Sequence, residues 1–172
     1  MNKPQQHNFM RLASVAAGAV AVAVSATTYA ATTGTVFQVQ ASVAKQCSVT
    51  ALDLNFGAVN PLGADVDQST TLTVKCTKNT TYNVGLDAGV STGATIADRV
   101  MANGADLMHY QLYKDAGRSA VWGNTSPSWA SGTGAGMGTG QPLTVYGRVP
   151  TGQTDLAAGN FAEPTITVTV TY

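Results

Sequence analysis

Residues Thr35–Val43 (TVFQVQASV) alternate as a half-buried β-strand does. Phe37, Val39, Ala41 and Val43 fall on one face; Val36, Gln38, Gln40 and Ser42 fall on the other. No two-residue turn joins this segment to a following strand, so it has no hairpin partner beside it. Its apolar face must be buried elsewhere in the molecule or in another one. A second segment of this kind, Thr165–Tyr172 (TITVTVTY), stands at the opposite end of the sequence. Ile166, Val168, Val170 and Tyr172 face one way there, and threonines the other. Sandwich proteins ordinarily blunt or cover their edge strands, and here two of the clearest strands lie at the chain ends.

The sequence between them reads as all-β. It is rich in Thr, Val and Gly, and no window sustains a 3.6-residue period. Further candidate strands are Cys47–Ala51, Thr70–Cys76, Tyr82–Leu86, Met108–Tyr113, Val121–Trp122 and Leu143–Arg148. Turn clusters such as Asn60-Pro61-Leu62-Gly63, Thr77-Lys78-Asn79, Asp115-Ala116-Gly117 and Thr151-Gly152-Gln153 punctuate them. Many short strands in one domain-sized chain predict a Greek-key β-sandwich. The one helix-leaning piece is Thr95–Met101.

The first thirty residues have the make-up of a secretory signal peptide. Lys3 and Arg11 form a basic region, Leu12–Val24 is apolar but for Ser14, and Thr28-Tyr29-Ala30 supplies small residues before a cut after Ala30. A cut after Ala26 is the alternative, and an uncleaved anchor is disfavoured by Gly18 and the many alanines. Cleavage after Ala30 leaves residues 31–172, enough for one domain with a core. Those residues carry seven basic side chains against nine acidic ones, and so little clustered positive charge that nucleic acid is not an expected partner. Cys47 and Cys76 are both in this part, and an oxidising compartment lets the pair close as a disulfide. The rival reading, a metal site, lacks ligands: there is no CxxC, and His109 is the only histidine beyond the leader.

No catalytic constellation emerges, and no cofactor is expected. His109 sits beside Tyr110 in an alternating strand, where it reads as a strand-face residue rather than a base. Glu163, the sole glutamate, precedes Pro164 and reads as a turn residue. Asp65 and Asp67 read as solvated loop carboxylates; they lack the spacing of a calcium loop. The run Gly132–Gly140 contains no GxGxxG register and no Lys-Ser/Thr follows it, so a flexible surface loop is expected instead of a phosphate cradle. Tyr110, Tyr113, Trp122, Trp129 and Tyr146 could line a sugar-binding face, although core packing accounts for them more simply.

Five segments in order carry a resemblance. They are Leu54-Asn55-Phe56-Gly57 after the first cysteine, Leu72–Thr77 around the second, Tyr110–Asp115 leading into Val121-Trp122-Gly123, Val145–Pro150, and the terminal Thr-Val-Thr-Val-Thr-Tyr. Together they resemble the spore coat protein U domain family, the subunits of archaic chaperone–usher pili, from about Thr33 to Tyr172. The resemblance implies an incomplete immunoglobulin-like sandwich that lacks its last strand and has a hydrophobic groove in its place. It divides the chain into a leader (1–30), a donor-strand extension (31–45) and a pilin domain (46–172). It further implies that Phe37, Val39, Ala41 and Val43 enter the groove of a neighbouring subunit, with Ile166, Val168, Val170 and Tyr172 beside or near that groove. The implied partners are further pilus subunits, a periplasmic chaperone and an outer-membrane usher. The implied location is the cell surface, reached through the periplasm, with a role in attachment and biofilm formation. A self-sufficient secreted coat or matrix protein, folded onto its own N-terminal strand, is the alternative. An exported carbohydrate-binding or hydrolytic module is a more distant one.

Overall fold

A computed structural model describes residues 28–172; the expected leader falls almost wholly outside the described residues. The chain divides at residue 40, and the compact unit is Ala41–Tyr172. Taken by themselves, residues 28–40 have no regular secondary structure.

The described residues form eight strands: β1 (Cys47–Ala51), β2 (Val66–Cys76), β3 (Thr81–Leu86), β4 (Arg99–Asn103), β5 (Asp106–Tyr113), β6 (Ala130–Thr133), β7 (Gln141–Val149) and β8 (Val168–Thr171). They assemble as a five-stranded sheet, β1-β2-β7-β5-β4, and a three-stranded sheet, β6-β3-β8. All pairings are antiparallel, and only β4 and β5 are joined by a two-residue hairpin. Most other connections cross between the layers, which is the Greek-key sandwich expected from the sequence.

The alternation of each long strand sets the core. On β2, Leu72, Val74 and Cys76 are buried, and on β7 so are Val145 and Val149. Met101 on β4 and Met108, Tyr110 and Leu112 on β5 extend this face of the larger sheet, and Tyr82, Val84 and Leu86 on β3 meet it from the smaller one, with Trp122 joining the same cluster. The long β2–β7 ladder, from Val66–Val149 to Val74–Gln141, carries this pattern across the larger sheet in one register.

Several expectations need correction. Thr95–Met101 is not helical: Arg99–Asn103 is a strand, because Arg99, Val100 and Met101 are all buried in a hairpin with β5. Val121–Trp122 contributes a single bridge, Tyr113–Val121, and no strand. Asp67 lies in β2 rather than a loop, held through Nε and Nη2 of Arg148 on β7 at 2.7 and 2.8 Å. The glycine run is not a free loop either. Its first residues belong to β6, and the Gly134 N–H donates to Thr80 O at 2.7 Å while the Gly136 N–H donates to Cys76 O at 3.0 Å. Gly134 is needed there, because a Cβ would collide with Thr77 O and with Cys76.

Candidate strand-acceptor groove

The edges of the two sheets are set by backbone polarity. The Asp87 N–H donates to Thr167 O at 3.1 Å, which fixes the phase of the β3–β8 ladder. Pairs two residues apart then exchange hydrogen bonds, Gly85 with Thr169 and Asn83 with Thr171. It follows that Ile166, Val168 and Val170 turn their N–H and C=O groups away from β3, toward an edge that pairs with no strand among the described residues. The same reasoning applies to β1. The Leu52 N–H donates to Thr71 O at 3.2 Å, so Thr50–Thr73 and Ser48–Lys75 are the bonded pairs. Cys47, Val49 and Ala51 therefore direct their backbone groups outward, again with no strand partner among the described residues. Each edge displays a row of unpaired donors and acceptors, the template onto which another strand adds.

Between the stretches that continue these edges lies a cleft of about 1300 Å³. One wall is the segment after β1, where Leu54, Phe56 and Val59 are half-buried; the other is the segment before β8, with Leu156, Phe161 and Ile166. Its floor is the core itself, including Leu72, Met108, Tyr110 and Val145. Leu54 and Phe56 lie close over Gly147 of β7, where a Cβ would meet both side chains. The cleft thus reaches down to side chains of the sandwich core.

The disulfide lies at the start of β1, outside the residues that line the cleft. Cys47 and Cys76 are bonded, with Cα atoms 4.1 Å apart, at a non-hydrogen-bonded pair of β1 and β2. That is where side chains of neighbouring antiparallel strands come closest. The bond ties the edge strand β1 to the long central ladder.

Glu163 shapes the opposite wall. Its carboxylate accepts the N–H groups of Val90 (3.0 Å), Ser91 (2.9 Å) and Thr165 (3.1 Å). Burial pushes its carboxyl up, but the Ser91 hydroxyl and these backbone donors outweigh that and hold it below its ordinary value. Asp87 similarly accepts the N–H of Thr167 at 2.8 Å. The turn residue expected at Glu163 is therefore a clasp between the loop after β3 and the approach to β8.

Two buried features escaped the sequence. Arg99 is fully buried, and its guanidinium donates to Asp87 O (2.9 and 2.8 Å), Leu86 O (3.2 Å) and Trp122 O (2.7 Å). Only the position of an arginine directly after an acidic residue in an otherwise uncharged stretch could have hinted at it. The second is the Tyr110 hydroxyl. Tyr110 is 6% exposed, its ring lines the cleft and meets Phe56 edge-on at 6.1 Å, and its buried oxygen has no hydrogen-bond partner among the described residues. Desolvation drives its pKa far above the ordinary value, so it is a neutral donor at all physiological pH values.

The residues singled out from the sequence distribute as follows. Ile166, Val168 and Val170 pack against the core at the β8 edge, whereas Tyr172 is 53% exposed and outside the core cluster. The strand is Val168–Thr171, shorter than expected, because Thr165 and Thr167 direct their N–H groups to the carboxylates of Glu163 and Asp87. Phe37, Val39 and Val43 are exposed to 87, 79 and 87% and Thr35–Val43 pairs with no strand here. The aromatic residues do not form one face: Tyr110 and Trp122 are core, while Tyr113 and Tyr146 are half-buried cross-strand neighbours. His109 is exposed and paired with Asp98 at 2.7 Å. No cluster of three or more potential metal ligands occurs among the described residues.

Comparison with known proteins gives three findings. Residues 32–171 match the Spore Coat Protein U domain. Protein U of Myxococcus xanthus is 37% identical over 134 residues, which cover 69% of this chain and 71% of that protein. A chain in the crystal structure of the CsuC–CsuE chaperone–tip adhesion subunit pre-assembly complex, from archaic chaperone–usher Csu pili of Acinetobacter baumannii, superposes with a TM-score of 0.54 at 26% identity. That superposition takes in 76% of this chain but only 40% of the solved one, so this chain spans well under half of its length.

Proposed function

The chain belongs to the Spore Coat Protein U domain family, and we propose that it is a structural subunit of a chaperone–usher pilus, polymerised by donor-strand exchange. The observation that carries this reading is the open cleft floored by the core, whose walls are the segment that follows β1 and the segment that leads into β8. The likeness to a chain from a chaperone–pilus-subunit complex agrees with it. In this reading residues 1–30 direct export and are removed, and a periplasmic chaperone first fills the groove. At an outer-membrane usher, Thr35–Val43 of the next subunit replaces the chaperone. The assembled fibre serves surface attachment and biofilm formation.

The physical case rests on complementarity. Phe37, Val39, Ala41 and Val43 stand at the two-residue period with which side chains enter successive pockets beside an added strand. Burying Phe37, Val39 and Val43 contributes roughly 5–9 kcal/mol before entropy costs. Each new ladder hydrogen bond adds about 0.5–1.5 kcal/mol. Donor and acceptor lie on different parts of the subunit, so the contact is head-to-tail and generates a filament.

Deletion of residues 33–43 provides the test. The truncated protein should fail to form fibres yet bind an added peptide of sequence TVFQVQASV. Fibre formation by the truncated protein, or its failure to take up the peptide while folded, would count against the reading.

A further inference from the structure

The four inward positions of the proposed donor segment are all apolar, yet Tyr110, a residue of the groove floor, carries a buried hydroxyl without a partner. Tyr110 is more than nine-tenths buried, it lines the cleft, and its hydroxyl is neutral and unsatisfied among the described residues. A buried hydroxyl left so is unfavourable, and an occupant that completes its hydrogen bond is favoured over one that does not. Its cover is adjustable. Phe56, which meets the Tyr110 ring edge-on, belongs to the stretch between β1 and β2 that no ladder holds. Pairing of that stretch with an incoming strand would reset Phe56 and open a path to the hydroxyl.

We propose that Tyr110 is a specificity-determining residue of the groove, and that Ala41 of a second copy of this chain is the donor residue seated over it. The assignment rests on the donor-strand reading above. Of the four inward side chains, Phe37, Val39 and Val43 are long enough to seal the hydroxyl beneath hydrocarbon. Ala41 alone leaves room above it for one enclosed water that completes its hydrogen bond. The groove thereby selects a strand in one register: a shift by two residues places Val39 or Val43 over the hydroxyl and leaves it buried without a partner.

The test is a coupling measurement on the full chain with labelled peptides of sequence TVFQVQASV, using wild type and Tyr110→Phe. The variant is expected to bind the peptide about tenfold more weakly, the scale of one buried hydrogen bond. Its peptide-free thermal midpoint should be equal to or above that of wild type, since an unsatisfied group has been removed. A peptide carrying Ala41→Ser should bind wild type more tightly and Tyr110→Phe more weakly, because the added hydroxyl finds its partner only in the former. Equal affinity of both proteins for both peptides, or a lowered midpoint for the peptide-free variant, overturns the assignment. Absence of peptide binding to wild type overturns the donor-strand reading itself, and the assignment with it.

Discussion

Arg99 bears more of the fold than its isolation in the sequence suggests. One guanidinium gathers carbonyls from Leu86 and Asp87 at the end of β3 and from Trp122, whose own indole N–H donates to Val84 O at 2.8 Å. Burial lowers the pKa of Arg99, and the neighbouring Tyr110 and Asp87 partly offset this. The planar fork, with several donors at fixed angles, is what joins three backbone segments; an ammonium cannot reproduce it. Arg99→Lys is expected to destabilise the protein by about 2–4 kcal/mol, since charge-assisted bonds are lost and carbonyls are left buried. A urea titration should show a lower midpoint with an unchanged slope. An unchanged midpoint would mean that the carbonyls are otherwise satisfied. Residues of this type were not legible in the sequence, because their partners are main-chain atoms far apart along the chain. The alternation of Phe37, Val39, Ala41 and Val43, by contrast, is plain from spacing alone, and the donor role proposed for them rests on the groove rather than on that pattern.

Among the elements, legibility follows the same division. Strands with strict alternation, such as Cys47–Ala51 and the Leu72–Cys76 part of β2, were evident from local pattern. Arg99–Asn103 was not, since three successive buried residues hide the two-residue period and only its hairpin with β5 makes it a strand. Ala130–Thr133 was concealed by its glycine, which is there because the Tyr82 ring occupies the space a side chain would need. The approach to β8 has the alternation of a strand, but carboxylates capture its alternate N–H groups. This arrangement has a pH signature. The Glu163 carboxyl is held below 4.5 in the folded protein, so its contribution is complete above that value and is lost as pH falls through the lower, folded pKa. The stability gap between wild type and Glu163→Gln should therefore be greatest above pH 4.5 and narrow progressively in more acidic solution. Thermal midpoints measured across that range will check it; a gap independent of pH would show that the charge does not matter to the clasp.

For the whole molecule, the sandwich and the disulfide could be anticipated from sequence pattern and family resemblance. The walls of the groove could not, because Leu54, Phe56, Leu156 and Phe161 lie in stretches with no regular ladder. Their apolar side chains fit local loops, and only the assembled sheets reveal that they surround one space. In the function proposed above, the last layer of backbone bonding comes from another subunit. Amide hydrogen exchange of the outer-edge N–H groups of Val49, Ala51, Val168 and Val170, in the free subunit and in the assembled fibre, tests this most directly. The account predicts fast exchange in the free subunit and slowing by roughly a hundredfold or more in the fibre, while Val74 and Val84 in the central ladders are protected in both. Slow exchange of the edge amides in the free subunit, or no change on assembly, would contradict it.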